Sequence, residues 1–307
     1  MSADPSPSAR LPRPGPPPHM LSTVPLYRLA DELPSLSNSV MIASFDGWVD
    51  AAEAASSAVS HIAAGAPAIA TFEPDAIFDY RSRRPVLDVM DGRLSDLRWP
   101  ELTIRHTVVA DRDLLMFSGA EPDLRWQELA ADVAHLALRL DVSLWVSLGA
   151  VPGAVPHTMP VPVMSTASED GLLQAGSPGP EGLLRVPSAA LSALEMAVSG
   201  SGIPAVGFFA QVPPYASIGY AAASVALLDR LGRHLGIDLP LGGLVDEDQE
   251  QRARYDAAVS GDAMLRQTVE QLESVAGGVE EERLPSGDEL AREIERFLRG
   301  QDPDGEG

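Results

Sequence analysis

The chain has 307 residues, 45% of them apolar, enough for one large domain or two small ones around a sizeable core. Its 22 basic residues face 44 acidic ones, and a formal net charge of −22 argues against nucleic acid or an anionic membrane as the main partner. There is no Cys and every basic residue is Arg, which excludes disulfide frameworks, thiolate zinc sites, cysteine nucleophiles, Walker-A loops and Schiff-base lysines.

Residues 1–22 are rich in Pro, Ser and Ala, densest at Pro16-Pro17-Pro18, and read as a disordered leader; polyproline recognition is the functional alternative. The leader lacks the apolar stretch of a signal peptide. No apolar run approaches the ~20 residues that cross a bilayer. Both features point to the cytoplasm. From 23 to 240 apolar runs alternate with amphipathic stretches, the pattern of an α/β core domain. Ser39 to Phe45 reads as a buried first strand. Asp50 then reads as the cap of a helix lined by Ala51, Ala55, Val59 and Ile62, with Glu53 completing a capping box. Ala68 to Phe72 is a second strand. Val86 to Met90, a turn at Asp91-Gly92, Leu102 to Val109 and Leu114 to Phe117 read as short strands, which makes the sheet mixed.

Asp123 is expected to cap the clearest helix, where Trp126, Leu129, Val133, Leu136 and Leu140 recur at helical spacing. Val142 to Leu148 is a strand ending at Gly149. The segment Val151 to Val163 carries Pro152, Pro156, Pro160 and Pro162 and is expected to be irregular. A helix from about Ser188, a strand over Ala205 to Ala210 and a helix over Tyr220 to Leu235 complete the core. Residues 241–300 form an acidic helical extension: from Asp246 to Gly307 there are 18 acidic residues against 7 Arg. Leu265, Val269, Leu272 and Val275 make one narrow stripe there, suited to packing on the body or on a partner helix. Ser286 and Glu289 cap a last helix bearing Leu290, Ile294, Phe297 and Leu298, and 301–307 read as a disordered tail.

Four segments carry candidate ligand or interface residues. Trp48 and Asp50 lie between a strand and a helix, where α/β proteins place ligand loops, although Asp50 has a plain explanation as a cap. Asp79, Tyr80, Arg81 and Arg84 belong to an Arg-rich loop, either an anion or subunit contact or a solvated loop of ion pairs. Glu121, Asp123, Arg125 and Trp126 surround a helix entry. His157 sits in a rigid Pro-rich loop; as a general base it needs an orienting carboxylate that spacing does not supply, and the alternative is a structural His. The six His are scattered, with no His-Glu-x-x-His pair and no Gly-x-Ser-x-Gly elbow, so the sequence assigns no catalytic residue, metal or cofactor.

Gly47-Trp48-Val49-Asp50-Ala51, Asp79 to Pro85, Glu121 to Trp126, Val155 to Val163 and Leu284 to Leu290 occur in this order. The set resembles the actinobacterial branch of the proteasome assembly chaperone family, over about Val24 to Leu298. The resemblance implies a three-layer α/β core with a mixed, largely parallel sheet akin to nucleoside phosphorylases. It also implies homo-oligomers, trimers among them, and a proteasome or other protein complex as partner. Relatives help assemble proteasome α-rings and several end in a hydrophobic-Tyr-any motif; this chain ends Gly305-Glu306-Gly307. Two readings follow: a non-enzymatic oligomeric assembly or adaptor protein, and an enzyme or small-ligand binder in which Trp48, Asp50, Arg81, Arg84, Arg125 and His157 converge on a cleft at the strand C-termini.

Overall fold

A computed structural model of the protein describes residues 24–279, apart from 175, 176 and 181. The expected leader, the last helix after Ser286 and the tail lie outside the described residues. In chain order the elements are β1 (Tyr27–Leu29), β2 (Ser39–Asp46), α1 (Ala54–Ile62), β3 (Ala68–Phe72), α2 (Pro74–Ile77), β4 (Val86–Met90), β5 (Arg93–Arg98), β6 (Leu102–Val109) and β7 (Arg112–Ala120). Then come α3 (Trp126–Arg139), β8 (Val142–Pro152), β9 (Val163–Ala167), α4 (Ala190–Gly200), β10 (Ala205–Val212), α5 (Ala221–Leu235), α6 (Gly243–Gly261) and α7 (Ala263–Val279).

Eight strands form one mixed sheet in the order β1-β3-β6-β7-β2-β8-β10-β9. Its centre, β7-β2-β8-β10, is parallel, and the flanking pairings are antiparallel. Two successive antiparallel pairings turn β3 back to the direction of β7, so Phe72, Asp46, Ala120, Pro152 and Val212 all end on one carboxyl edge.

The sequence explains the layering. β2 reads SVMIASFD and is buried at every position but the last, because both its faces are covered. Met41, Phe45, Phe117 and Trp145 pack towards α3 and α4; Val40, Ile42, Met116 and Phe208 pack towards α1 and α5. Each such side chain contributes about 1.5–3 kcal/mol on burial. Helices on both faces of the sheet make the three layers expected. α6 packs on α5, and α7 packs back on α6 with Val269 buried.

Several local expectations are corrected. The Asp50 helix does not start at Ala51: residues 51–53 form a 3-10 turn in which Ala52 and Glu53 adopt positive φ, and α1 begins at Ala54. Ala52 bends there because its carbonyl accepts from the Gly219 and Tyr220 amides. No reciprocal capping box forms, since the Asp50 amide donates to the Gly47 carbonyl. Asp123 does not cap α3. Arg125, in the left-handed region, stands at that position. β8 continues through Pro152, which pairs in parallel register with Val212 at the strand's end.

Candidate functional site

The loops after β2, β3, β7, β8 and β10 share the carboxyl edge, and all eleven candidate residues lie on them or on the turn just beyond. The structure sorts these residues into two groups.

The first group knits three loops together, with Glu121 at its centre. Its Oε2 accepts from the Trp48 amide at 2.8 Å and its Oε1 from the Ala190 amide at the start of α4 at 2.8 Å. The Glu121 amide in turn donates to the Asp46 carbonyl at 3.2 Å. A Cβ on Gly47 would stand 2.2 Å from Glu121 Oε2, so the loop approaches the carboxylate through a residue without a side chain. Asp123 Oδ2 accepts from the Asp79 amide at 3.0 Å, while the Asp123 and Leu124 amides donate to the Ile77 carbonyl. Arg83, which sequence reasoning did not single out, reaches Asp46 through Oδ1 at 2.5 Å and the carbonyl at 3.1 Å. Nothing in the sequence distinguished it from Arg81 or Arg84; only the fold brings it to the end of β2.

The remaining members have local partners. Asp79 accepts from the Arg81 amide at 3.0 Å, which holds its carboxyl below the ordinary Asp value, and the Arg81 side chain is almost wholly exposed. Tyr80 donates to Asp75 at 2.5 Å, which pushes its phenol up to about 12, and packs edge-on against Trp99. Arg125 binds Glu128 on its own helix, and the Trp126 indole donates to the Pro122 carbonyl at 2.7 Å. Arg84 is exposed, and Trp48 is 41% exposed.

Asp50 is buried and its Oδ1 accepts from the Ala55 amide at 2.7 Å and the Ser56 amide at 3.3 Å. It therefore caps α1 across the 3-10 turn. Desolvation pushes its carboxyl above the ordinary Asp value, against the lowering pull of these hydrogen bonds.

His157 belongs to the second group. It is 2% exposed, with its amide 2.9 Å and Nδ1 2.7 Å from Tyr215 Oη, and Nε2 3.3 Å from Asp256 Oδ1 on α6. Its carbonyl accepts from Arg252 at 2.8 Å. Tyr255 packs on the imidazole and accepts from the Ser217 amide at 3.0 Å; Thr158 donates to Glu273 on α7 at 2.6 Å. Tyr215, Arg252, Tyr255 and Asp256 were missed because they lie about 60 to 100 residues from His157 and only the fold joins them. The Asp256 carboxylate that spacing did not reveal is thus supplied by α6, but it faces a His sealed by two tyrosines.

A third cluster was not anticipated. Beneath α4 the Trp145 indole donates to Ser147 Oγ at 2.8 Å, and Ser147 Oγ donates to Glu195 at 2.5 Å. Desolvation pushes the Glu195 carboxyl above its ordinary value, opposed by the Ser147 hydrogen bond.

An open groove of about 590 Å³ between β3, the start of β6 and the end of β5 is lined by Arg28, Glu73, Trp99 and Glu101 among others, and by none of the eleven candidates. Among the described residues no cluster of His, Asp or Glu suits a metal, and no helix is long and apolar enough to cross a membrane.

Comparison with known proteins follows this geometry closely. The sequence profile of the PAC2 family matches residues 44–259, the span from the end of β2 through most of α6. A Mycobacterium tuberculosis protein of unknown function is 30% identical, with a TM-score of 0.82 over 94% of this chain and 99% of that one. A Mycobacterium tuberculosis proteasome-assembly chaperone homologue is 33% identical, with a TM-score of 0.69 over 75% of this chain and 99% of that one. A Streptomyces avermitilis PAC2 family protein is 32% identical, with a TM-score of 0.65 over 71% and 95%. No curated protein matches.

Proposed function

This chain belongs to the PAC2 family, with actinobacterial proteins among its relatives, and from that premise we propose that it is a non-enzymatic, homo-oligomeric, assembly-chaperone-like or adaptor protein. Its client is a protein complex, with the proteasome the first candidate. The observation that carries this reading lies at the carboxyl edge, where an enzyme of this architecture needs free polar groups converging on a cleft. Here Glu121 is spent on two backbone amides, Asp50 on a helix terminus, Asp123 on the Asp79 amide and His157 on Tyr215. These carboxylates and the imidazole fasten loops to one another, which favours a shaped surface over a reaction centre. A relative described as a proteasome-assembly chaperone homologue supports the choice of client.

The test is affinity capture of the tagged full chain from a native actinobacterial lysate, read by mass spectrometry, with light scattering on the purified protein. Enrichment of proteasome subunits is the expected result. An oligomer that enriches no defined complex overturns the reading. The ligand-binder alternative then takes over, because the groove beside Trp99 is large enough for a small molecule. Thermal-shift screening with phosphorylated and nucleoside-like compounds would test it.

A further inference from the structure

We propose that the open groove beside Trp99 is a docking site for a proline-rich, Arg-bearing segment, and that its occupant is Pro12 to Pro18 of the same chain.

The groove holds about 590 Å³ and lies where β3, the start of β6 and the end of β5 meet. Phe72 and Leu102, both buried, line it from the core side. Pro74, Pro100 and Trp99, which is 50% exposed, line it nearer solvent. The indole is held in place: Tyr80 packs edge-on against it with ring centroids 4.8 Å apart, and the Tyr80 hydroxyl is tethered to Asp75 at 2.5 Å. A fixed indole flanked by prolines is a surface on which polyproline ligands pack, since such a segment is extended beforehand and loses little conformational freedom on docking.

Charge narrows the occupant. Four charged residues line the groove, and two of them are paired with each other, Arg28 with Glu73 at 2.8 Å. Arg98 is paired with Asp88 at 3.0 Å. Glu101 is exposed, and among the described residues its carboxylate has no hydrogen bond or ion pair. The groove therefore keeps one unpaired negative charge, two residues from Trp99, and fits a proline-rich segment that carries a cation. Pro12-Arg13-Pro14-Gly15-Pro16-Pro17-Pro18 supplies both: five prolines in seven residues, a Pro-x-x-Pro spacing from Pro14 to Pro17, and Arg13 beside it.

Position brings this segment to the groove. β1 pairs antiparallel with β3, Tyr27 opposite Phe72, and the Glu73 amide donates to the Leu26 carbonyl. The chain thus enters β1 at the end of β3 where Phe72 and Glu73 line the groove. Trp99 and Pro100 precede β6, which pairs antiparallel with the other side of β3. One strand separates the entry from Trp99, a crossing of roughly 10 Å at the ~4.8 Å spacing of neighbouring strands. The six residues from Pro18 to Val24 span up to about 20 Å when extended. Pro12 to Pro18 lie outside the described residues, just upstream of this entry.

The chain has no Cys, so Ser8→Cys can carry a nitroxide label as the sole thiol of the full chain. Paramagnetic broadening of the indole N–H signals in the isotopically enriched protein then reads how near the label comes. The Trp99 signal should be broadened several-fold more than that of Trp145, which is buried in the central sheet. Glu101→Arg should remove the difference, and adding Arg13→Glu should restore it. Enriched chain without the thiol, mixed with unenriched spin-labelled chain, should show no broadening at Trp99. A Trp99 signal no broader than that of Trp145 overturns the docking. Broadening that survives Glu101→Arg unchanged overturns the pairing of Arg13 with Glu101 on which the choice of occupant rests. Broadening in the mixture assigns the groove to the leader of a second copy and overturns the contact within one chain.

Discussion

Glu121 lies over Gly47 so closely that a Cβ on the glycine would stand 2.2 Å from its Oε2 and 2.7 Å from its Cβ. The fit is steric, since Gly47 is not among the residues at positive φ. Gly47→Ala should therefore displace Glu121 and release the Trp48 and Ala190 amides together. Glu121→Gln makes a milder test, because it turns one of two acceptors into a donor facing an N–H. Orphaning the partly buried Ala190 amide costs about 1–3 kcal/mol, and the exposed Trp48 amide less, since water can replace its acceptor. Chemical denaturation should show both variants destabilised, Gly47→Ala the more. A wild-type midpoint for Glu121→Gln would mean that the carboxylate does not hold these loops.

Glu195 makes stability depend on pH. Its carboxyl is pushed up by desolvation beneath α4, so the folded chain binds this proton more tightly than the unfolded chain does. The contribution is fully present below the unfolded Glu value and is lost as pH rises through the folded one. Asp50, also pushed up, acts in the same direction. Glu195→Gln keeps an acceptor for the Ser147 hydroxyl and removes the buried charge. Unfolding free energies from mildly acidic to neutral pH should fall less steeply in this variant, which should be the more stable protein at neutral pH. An unaltered slope would show that Glu195 is solvated in the folded state.

The α6–α7 pair is fastened to the loop after β8 through His157. His157→Ala removes the imidazole contact to Tyr215 Oη and to Asp256, leaving only the backbone amide on Tyr215, and opens a gap beneath Tyr255. The loss is about 1–3 kcal/mol and falls on this attachment. Hydrogen exchange should accelerate across 243–279 while β2 and β8, buried in the central sheet, keep their protection. Acceleration spread evenly over the chain would mean that the helices and the sheet open as one unit.

The layered core was legible because its signal is local. An unbroken apolar run such as β2 has one good solution, a central parallel strand, and the Leu129-Val133-Leu136 spacing has one good helix face. The helix entries at Asp50 and Asp123 were read less well, since an Asp before an apolar periodic stretch looks the same whether its carboxylate caps at once, reaches across a 3-10 turn, or leaves for another loop as Asp123 does for Asp79. The site divided in the same way. Motifs found the loops after β2, β3, β7 and β8 but not the one after β10 that holds Tyr215, and which groups meet was set by long-range packing, so Arg83 reaching Asp46 and Tyr215 and Asp256 closing on His157 left no trace in spacing. The exposed β4–β5 ribbon is the converse case, where an apolar run read as ordinary strand and only the fold revealed that, among the described residues, it stands outside the main sheet.

Asp50 allows capping to be separated from any further role. Asp50→Ala removes the acceptor for the Ala55 and Ser56 amides at the positive end of α1, a loss of about 1–2 kcal/mol. Asp50→Asn retains an oxygen for these amides and removes a charge that burial disfavours, so its stability at neutral pH should equal or exceed that of the wild type. If the cap is its whole function, the Asn variant also captures the same complex from lysate in the same yield. A variant that is fully stable yet loses capture, or loses binding of a small ligand, would assign the ionised carboxylate a contact outside its own chain. The pairing of a stability measurement with a capture measurement makes the outcome decisive, because the cap needs an acceptor and only a second role needs the charge.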